Sequence, residues 1–346
     1  MNTLRAILFT FVAAALCGTG IVFAQSTGSG LAGAYLLRPV GARAIGLGGA
    51  YTAIANEPTG LFYNPAFSAF LPDRPQISLM TSPLEFGRTH ASVVYAQSIG
   101  SQWGISAGMN SFYNGSFQAT NAQGSSLGNF SNQQYDIVLG GSWRNDFFAV
   151  GANAKYLIDA LTGSGSTGKT FAFDFGAKVN LIDILTFGMA IQNIGGRYDW
   201  NSITGSKDII PFTIRAGVAT EIGINQEEYV VRSTIRGEPE TIQLPSTQYV
   251  LLGLDAVYNQ HDKSPTLVLG AEYSPMALLA VRVGGAVFGE KSGQNKFLPL
   301  TQWGGGLSVK PTIEAIPFLF SVEYAISGDA VSGSGVAHHI SLIMQF

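Results

Sequence analysis

From about residue 75 onward, apolar side chains recur at every second position in segments of about ten residues, separated by clusters of Gly, Asn, Ser, Asp and Pro. That period is the period of β-strands. In residues 170–181 one parity carries Phe171, Phe173, Phe175, Ala177, Val179 and Leu181, and the other carries Thr170, Ala172, Asp174, Gly176, Lys178 and Asn180. The same split recurs in Phe212, Ile214, Ala216 and Val218 against Thr213, Arg215, Gly217 and Ala219, and in Leu279, Val281 and Val283 against Ala280, Arg282 and Gly284. Phe318, Phe320, Val322 and Tyr324 face Leu319, Ser321 and Glu323 in the same way. A soluble sandwich also alternates, but its wet parity carries many Lys and Glu. Here that parity holds about one charge per strand beside Gly, Ala, Ser and Thr, as a small-residue lumen behind a lipid-facing wall requires.

Strands are expected at 75–82, 89–98, 102–112, 133–143, 146–158, 170–181, 184–193, 211–222, 247–258, 265–274, 278–288, 301–310, 316–326 and 338–346, fourteen in all. Connections then alternate long and short, as in bacterial barrels with an even strand count. Long ones fall near 113–132, 159–169, 194–210, 289–300 and 327–337; short ones fall at Arg144-Asn145, Ile182-Asp183, Pro275-Met276 and 311–315. Residues 229–235 also have strand character, but counting them makes the total odd and inverts the long–short phase. Residues 224–246 are therefore read as a periplasmic insertion or a strand extension.

Composition sharpens this picture. Of 346 residues, 46% are hydrophobic and only 12% charged, against roughly 25% charged in an ordinary soluble domain. Nineteen basic and 22 acidic residues give a net charge of −3 without a run of either sign, so no footprint for nucleic acid exists. Residues 1–24 read as an export signal: Arg5, an apolar stretch at 6–16, then Val22-Phe23-Ala24 before Gln25. The only cysteine, Cys17, lies inside it, and Leu16 is too bulky for a lipidation site. Beyond residue 24 no apolar run approaches the roughly 18 residues of a spanning helix. An exported chain poor in charge and without such a helix can span lipid only as a closed barrel, because every backbone polar group must be paired internally.

The last strand adds an assembly feature. Ile340, Leu342, Met344 and Phe346 share one face, and the chain stops on the aromatic. This resembles the C-terminal signal read by the barrel-assembly machinery of outer membranes.

Residues 33–72 do not alternate. They are rich in Gly and Ala, with GARAIGLGGAY at 41–51 and NEPTGLFYNPA at 56–66. Glycine occupies inward positions on many strands, including Gly104, Gly108, Gly140, Gly151, Gly176, Gly188, Gly217, Gly253, Gly270, Gly284 and Gly304. Either these admit close backbone approach by a luminal plug, or they ease strand curvature. On the first reading the chain divides into a hatch at 25–72 and a barrel at 73–346.

The glycine run at 41–51, the polar step Asn56-Glu57 and Asn64-Pro65-Ala66 ahead of the first strand together resemble the PorV/PorQ proteins of the FadL-like outer-membrane barrel superfamily. The strong part of the resemblance covers about residues 35–72. It implies a 14-strand up-and-down barrel with an N-terminal hatch, and residues Asn64, Pro65, Ala66 and Phe67 as gate candidates. The activity it implies first is handling of exported proteins as a type IX secretion component, with secretion-system proteins and cargo as partners. The alternative is a FadL-like channel for long-chain fatty acids or other hydrophobic small molecules; a purely structural barrel is the third reading. Many relatives carry acidic residues before the NPA element, whereas this chain has Asn56, Glu57 and Pro58, so a paired acidic site is not implied here.

Chemical motifs add little catalysis. GSGSTGKT at 163–170 satisfies the P-loop spacing, but a strand rather than a helix follows it, so no cradle for phosphates forms. It reads as an outer loop. Inward charges fall on neighbouring strands: Arg215, Glu221, Asp255, Glu272, Arg282, Lys310 and Glu323. They either anchor hatch to wall or form a gate or headgroup site in which Arg215 or Arg282 grips a carboxylate. No placed nucleophile and no elbow motif accompany them, so an enzyme is not expected. With four histidines and no mature cysteine there is no zinc pattern, and neither metal nor cofactor is expected. His338 and His339 open the last strand near the outer rim and read as solvated. Trp103, Trp143, Trp303, Tyr135 and Tyr156 fit an interfacial girdle in outer-membrane lipid.

Overall fold

The computed structural model describes residues 32–182, 185–201, 207–225, 228–232, 239–243, 248–260, 264–288, 303–311, 317–328 and 335–346. The export signal 1–24 with Cys17, the loop 289–300 and most of 327–337 lie outside these residues.

Alternating sequence becomes strand throughout. In chain order the strands are β1 (Gln76–Pro83), β2 (Thr89–Ile99), β3 (Trp103–Thr120), β4 (Ser126–Arg144), β5 (Phe148–Thr162), β6 (Ser166–Ile182), β7 (Leu185–Ile194), β8 (Arg197–Trp200) and β9 (Lys207–Ile209). They continue with β10 (Thr213–Asn225), β11 (Glu228–Arg232), β12 (Pro239–Gln243), β13 (Gln248–Asn259), β14 (Thr266–Met276), β15 (Leu279–Phe288), β16 (Trp303–Val309), β17 (Leu319–Gly328) and β18 (Val336–Gln345). Fourteen of them close an antiparallel barrel in the order β1 to β7, β10, β13 to β18 and back to β1. The seam pairs Gln76 with Gln345 and Thr81 with Ile340. Closure leaves no unpaired edge in the hydrocarbon layer, which is the condition for strands to span it.

The expected insertion at 224–246 contains β11 and β12, which pair only with each other in a separate two-stranded sheet. The barrel count therefore stays even.

Two expected loops are largely strand. β3 and β4 continue through most of 113–132, pairing Ser116 with Ser131 and Ala119 with Gly128, and β5 and β6 leave only a short turn at 163–165. The reason is chemical. Beyond Tyr113 both faces are wet, so Asn114, Ser116, Gln118 and Asn129 carry no apolar alternation although the backbone ladder persists. The expected loop 194–210 likewise holds the β8–β9 hairpin, hung on the outer end of β6 through Gly168 and Trp200.

Outward positions are apolar and exposed, among them Leu79, Ile105, Met109, Leu139, Phe171, Phe173, Phe175, Met189 and Val281. Trp103 pairs with Trp143 at one border of this band. From Trp103 to Tyr113, at about 3.3 Å per residue and about 40° of tilt, the band is about 25 Å tall, the height of an outer-membrane barrel's apolar belt. Continuing from Tyr113 to Thr120, one wall rises roughly 18 Å further on the same arithmetic.

Phe346 ends the seam. Its N–H donates to the Pro75 carbonyl (3.0 Å) and its ring lies 5.3 Å from that of Phe318, while its outer side remains exposed. Deleting Phe346 is expected to lower the amount of heat-modifiable barrel in the outer membrane several-fold; undiminished assembly would contradict its reading as a signal.

Candidate functional site

The barrel is not empty. Between Gly33 and Leu71 only Asn56 is exposed, although this segment has no alternating apolar face of its own. It is buried because the wall surrounds it. Leu47, Tyr51, Ile54, Leu61, Tyr63 and Phe67 form one cluster with Val94, Val138 and Leu251 of the strands.

Inward glycines set the separation between segment and wall. A Cβ built on Gly284 would stand 2.1 Å from the Leu47 carbonyl carbon, on Gly304 1.9 Å from the Ile45 oxygen, and on Gly151 2.4 Å from Pro65. On Gly104 it would stand 2.3 Å from Ser68, and on Gly188 2.4 Å from the Thr52 oxygen. Real Cβ atoms do not approach this closely, so backbone rests directly on backbone. Of the two readings of these glycines, close approach is the one the geometry displays.

Polar side chains then fasten the segment. Asn64 Oδ1 accepts from the Ala66 N–H (3.1 Å), capping the short helix Pro65–Phe70, while its Nδ2 donates to the carbonyls of Thr52 and Ala177 (3.0 Å each). The helix begins there because Pro65 supplies a preset φ at the first position and needs no N–H partner. Pro65, Ala66 and Phe67 are fully enclosed behind it. Asp255 accepts from the N–H groups of Tyr51 and Thr52 and from the Thr52 hydroxyl, at 2.6 to 3.0 Å. Lys178 donates to the Ile54 and Ala55 carbonyls.

Near the short β14–β15 turn an ion network joins segment to wall. Arg43, on the short helix Ala42–Gly46, grips Glu272 with two parallel hydrogen bonds of 2.9 Å. Glu272 also accepts from Arg282 and from the Tyr249 hydroxyl, and Arg282 reaches on to Glu323, which takes the Ser308 hydroxyl. Arg43 donates further to Asn56 and lies 3.7 Å from Glu57. Burial raises the Glu57 carboxyl above the usual range, with Arg43 pulling the other way. Glu272, Arg282 and Glu323, read from the sequence as inward neighbours, meet here through hydrogen bonds, whereas two members of the expected set are exposed. Glu221 lies near the end of β10 and Lys310 one residue past β16.

Arg215 is separate from this network. Its Nε donates to Gln192 (3.1 Å) and its guanidinium lies 5.3 Å over the Tyr63 ring. Nearby, Lys155 lies 3.1 Å from Asp174 and 3.6 Å from Asp136 and donates to Asn193 Oδ1 (3.0 Å). None of Lys155, Asp136 or Asn193 was singled out from sequence; the inward parity of Asp174 and Lys178 was the available signal.

Asn193 breaks the pattern of β7. Its φ of 63° is left-handed, a conformation that Asn tolerates better than most residues, and Gln192 and Asn193 are consecutively buried. The Asn193 N–H turns inward to Asp174 (2.8 Å). β7 and β10 pair only up to Gln192 and Thr213. Beyond that point they diverge around a cavity of about 350 Å³ lined chiefly by Ile191, Ile194, Gly196, Ile209, Ile210 and Phe212. Ile209 is exposed and Ile210 is buried, so the notch runs from the rim into the wall.

The expectation of solvated histidines holds for one of the pair. His338 is exposed beside Tyr324, whereas His339 is buried, bonded to Ser82 (2.6 Å) and Ser327 (2.9 Å). Adjacent strand residues point to opposite faces, so only one of two neighbours can face outward. The P-loop-like stretch contributes Ser166 to Thr170 to β6, with Lys169 exposed. Among the described residues no cluster of three metal-binding side chains occurs.

No family model and no curated protein sequence matches the chain. Solved structures do. A monoaromatic hydrocarbon channel, the TodX deltaS2S3 mutant, superimposes with a TM-score of 0.56 at 12% identity, covering 89% of this chain and 98% of that one. A Pseudomonas aeruginosa FadL homologue gives 0.55 at 12% identity over 90% and 98%. The Pseudomonas putida toluene transporter TodX gives 0.53 at 12% identity over 89% and 98%. The shared feature is the fold, that of FadL-like outer-membrane barrels.

Proposed function

We propose that this outer-membrane barrel is a channel for hydrophobic small molecules, with residues 25–72 as its hatch. The observation that carries the reading is the apolar notch between β7 and β10. Its volume of about 350 Å³ is within the usual size of a small-molecule pocket, and its lip, Ile191 and Ile209, faces the lipid. A hydrophobic solute entering there leaves water or lipid for protein without crossing a polar surface. Passage inward requires the segment around Asn64 to Phe67 to shift, since it fills the lumen. The resemblance to PorV/PorQ proteins also implied carriage of exported proteins. A ligand-sized apolar notch, and folds shared with channels, favour the small-molecule reading over it.

Cells lacking the protein are expected to take up labelled toluene, hexadecane or palmitate several-fold more slowly than cells carrying it. Ile191→Trp, which fills the notch from its lipid side, should reproduce that loss while leaving the heat-modifiable barrel unchanged. Equal uptake of all three probes with and without the protein overturns the proposal.

A further inference from the structure

A second cavity lies inward of the notch, and Asn193 lines both. It is enclosed, of about 20 Å³, room for one small polar group. Its wall is charged: Asp136, Lys155 and Arg215, with Arg38, Asn110 and Gln192. Asp136 is 1% exposed, and among the described residues its Oδ1 has no hydrogen-bond partner. Its other oxygen is the one that faces Lys155, at 3.6 Å. A buried carboxylate oxygen left unmet is costly, and such atoms in folded proteins have a partner that fills the space.

We infer that this cavity receives the hydroxyl of an amphipathic alcohol or phenol whose hydrocarbon part lies in the notch. The inference rests on the small-molecule reading above and narrows its substrate class. The group that fits must donate one proton to Asp136 Oδ1 and accept from a neighbouring cation or amide. A hydroxyl does both. A hydrocarbon does neither, and leaves the carboxylate oxygen as it was. A carboxylate has no proton to give and adds a like charge at contact with Asp136. Sites built to bond a hydroxyl discriminate strongly against analogues without one, because their own polar atoms are then stranded. Asn193, held inward by Lys155 and Asp174, lines both compartments, so head and tail meet at the kink of β7.

The test uses the full mature chain in lipid nanodiscs and three probes with the same tail: 4-hexylphenol, hexylbenzene and 4-hexylbenzoate, titrated by calorimetry at neutral pH. 4-Hexylphenol is expected to bind about tenfold more tightly than either of the others, at the lower end of what one hydrogen bond to a charged group gives. Asp136→Leu removes the acceptor, while Lys155 keeps Asp174; Asp136→Ala also removes it and serves if the leucine variant does not assemble. In either, the phenol preference should fall to within about threefold of parity on the same scale. Wild-type protein that binds all three probes alike overturns the inference and leaves the channel reading standing. A preference that survives both substitutions, or a crystal soaked in 4-hexylphenol with only water at Asp136, also overturns it. Absence of binding by any probe removes the channel reading itself.

Discussion

Replacing Gly284 and Gly304 together by valine is expected to destabilise the barrel by about 2 to 6 kcal/mol, twice the usual cost of one overpacked site, and to open it to ions. The two residues are cross-strand partners on β15 and β16. Their missing side chains are occupied by the backbone of Ile45, Leu47 and Gly48. A Cβ at 1.9 to 2.2 Å from carbonyl atoms cannot be relieved by a rotamer change, so either the strands or residues 45–48 must move. Gly48 is packed closely against the same strand, β15. Its φ is +67°, and a Cβ there would itself stand 2.3 Å from Gly285. The sign of the result separates two physical accounts. If these glycines served only strand curvature, valine, a better strand former, would be neutral or mildly favourable. Gly305→Val is the matched control: it lies on the same strand, with no atom nearer than 3.9 Å to its Cβ. Unfolding in urea from lipid vesicles reads the stability, and planar-bilayer conductance reads the unseating of the segment. A double variant as stable and as closed as Gly305→Val would mean that the segment does not rest on these strands.

How much of this was legible beforehand depends on what gives each residue its signal. Phe171, Phe173 and Phe175 announce a lipid face because the other face of their strand cannot be lipid. The parity that exposes them also reveals Glu272, Arg282 and Glu323 as neighbours inside. No such period exists in residues 33–72. Burial there is imposed from all sides by the wall, so Arg43, the cation that completes the network, carries no mark in its local sequence. The outer parts of β3 and β4 were read as loop for the converse reason, since both of their faces are wet. Asn193 was missed because a single left-handed residue is a property of the backbone, not of composition. The glycine pattern was legible, but its meaning was not. Only the opposing backbone distinguishes a seat from a bend.

Glu272→Gln is expected to cost about 3 to 5 kcal/mol of barrel stability, the range for removing one partner of a buried ion pair. Glu272 is shared between two guanidiniums, Arg43 of the segment and Arg282 of the wall. Arg282 retains Glu323 after the change, so most of the loss falls on Arg43. What remains to Arg43 is Asn56 and, at 3.7 Å, Glu57, which is a longer and less directional contact than the bidentate grip it loses. Two comparisons localise the effect. Glu57→Gln alone should cost much less than Glu272→Gln, because Arg43 keeps both bonds to Glu272. Arg43→Met combined with Glu272→Gln should recover at least half of the single variant's loss, because the stranded cation is then gone while Arg282 stays paired. A penalty below about 1 kcal/mol for Glu272→Gln, typical of solvated pairs, would show that water reaches this end of the lumen. In that case the luminal segment is held by its glycine seats and by Asn64 and Asp255, and the ion network contributes nothing to its seating.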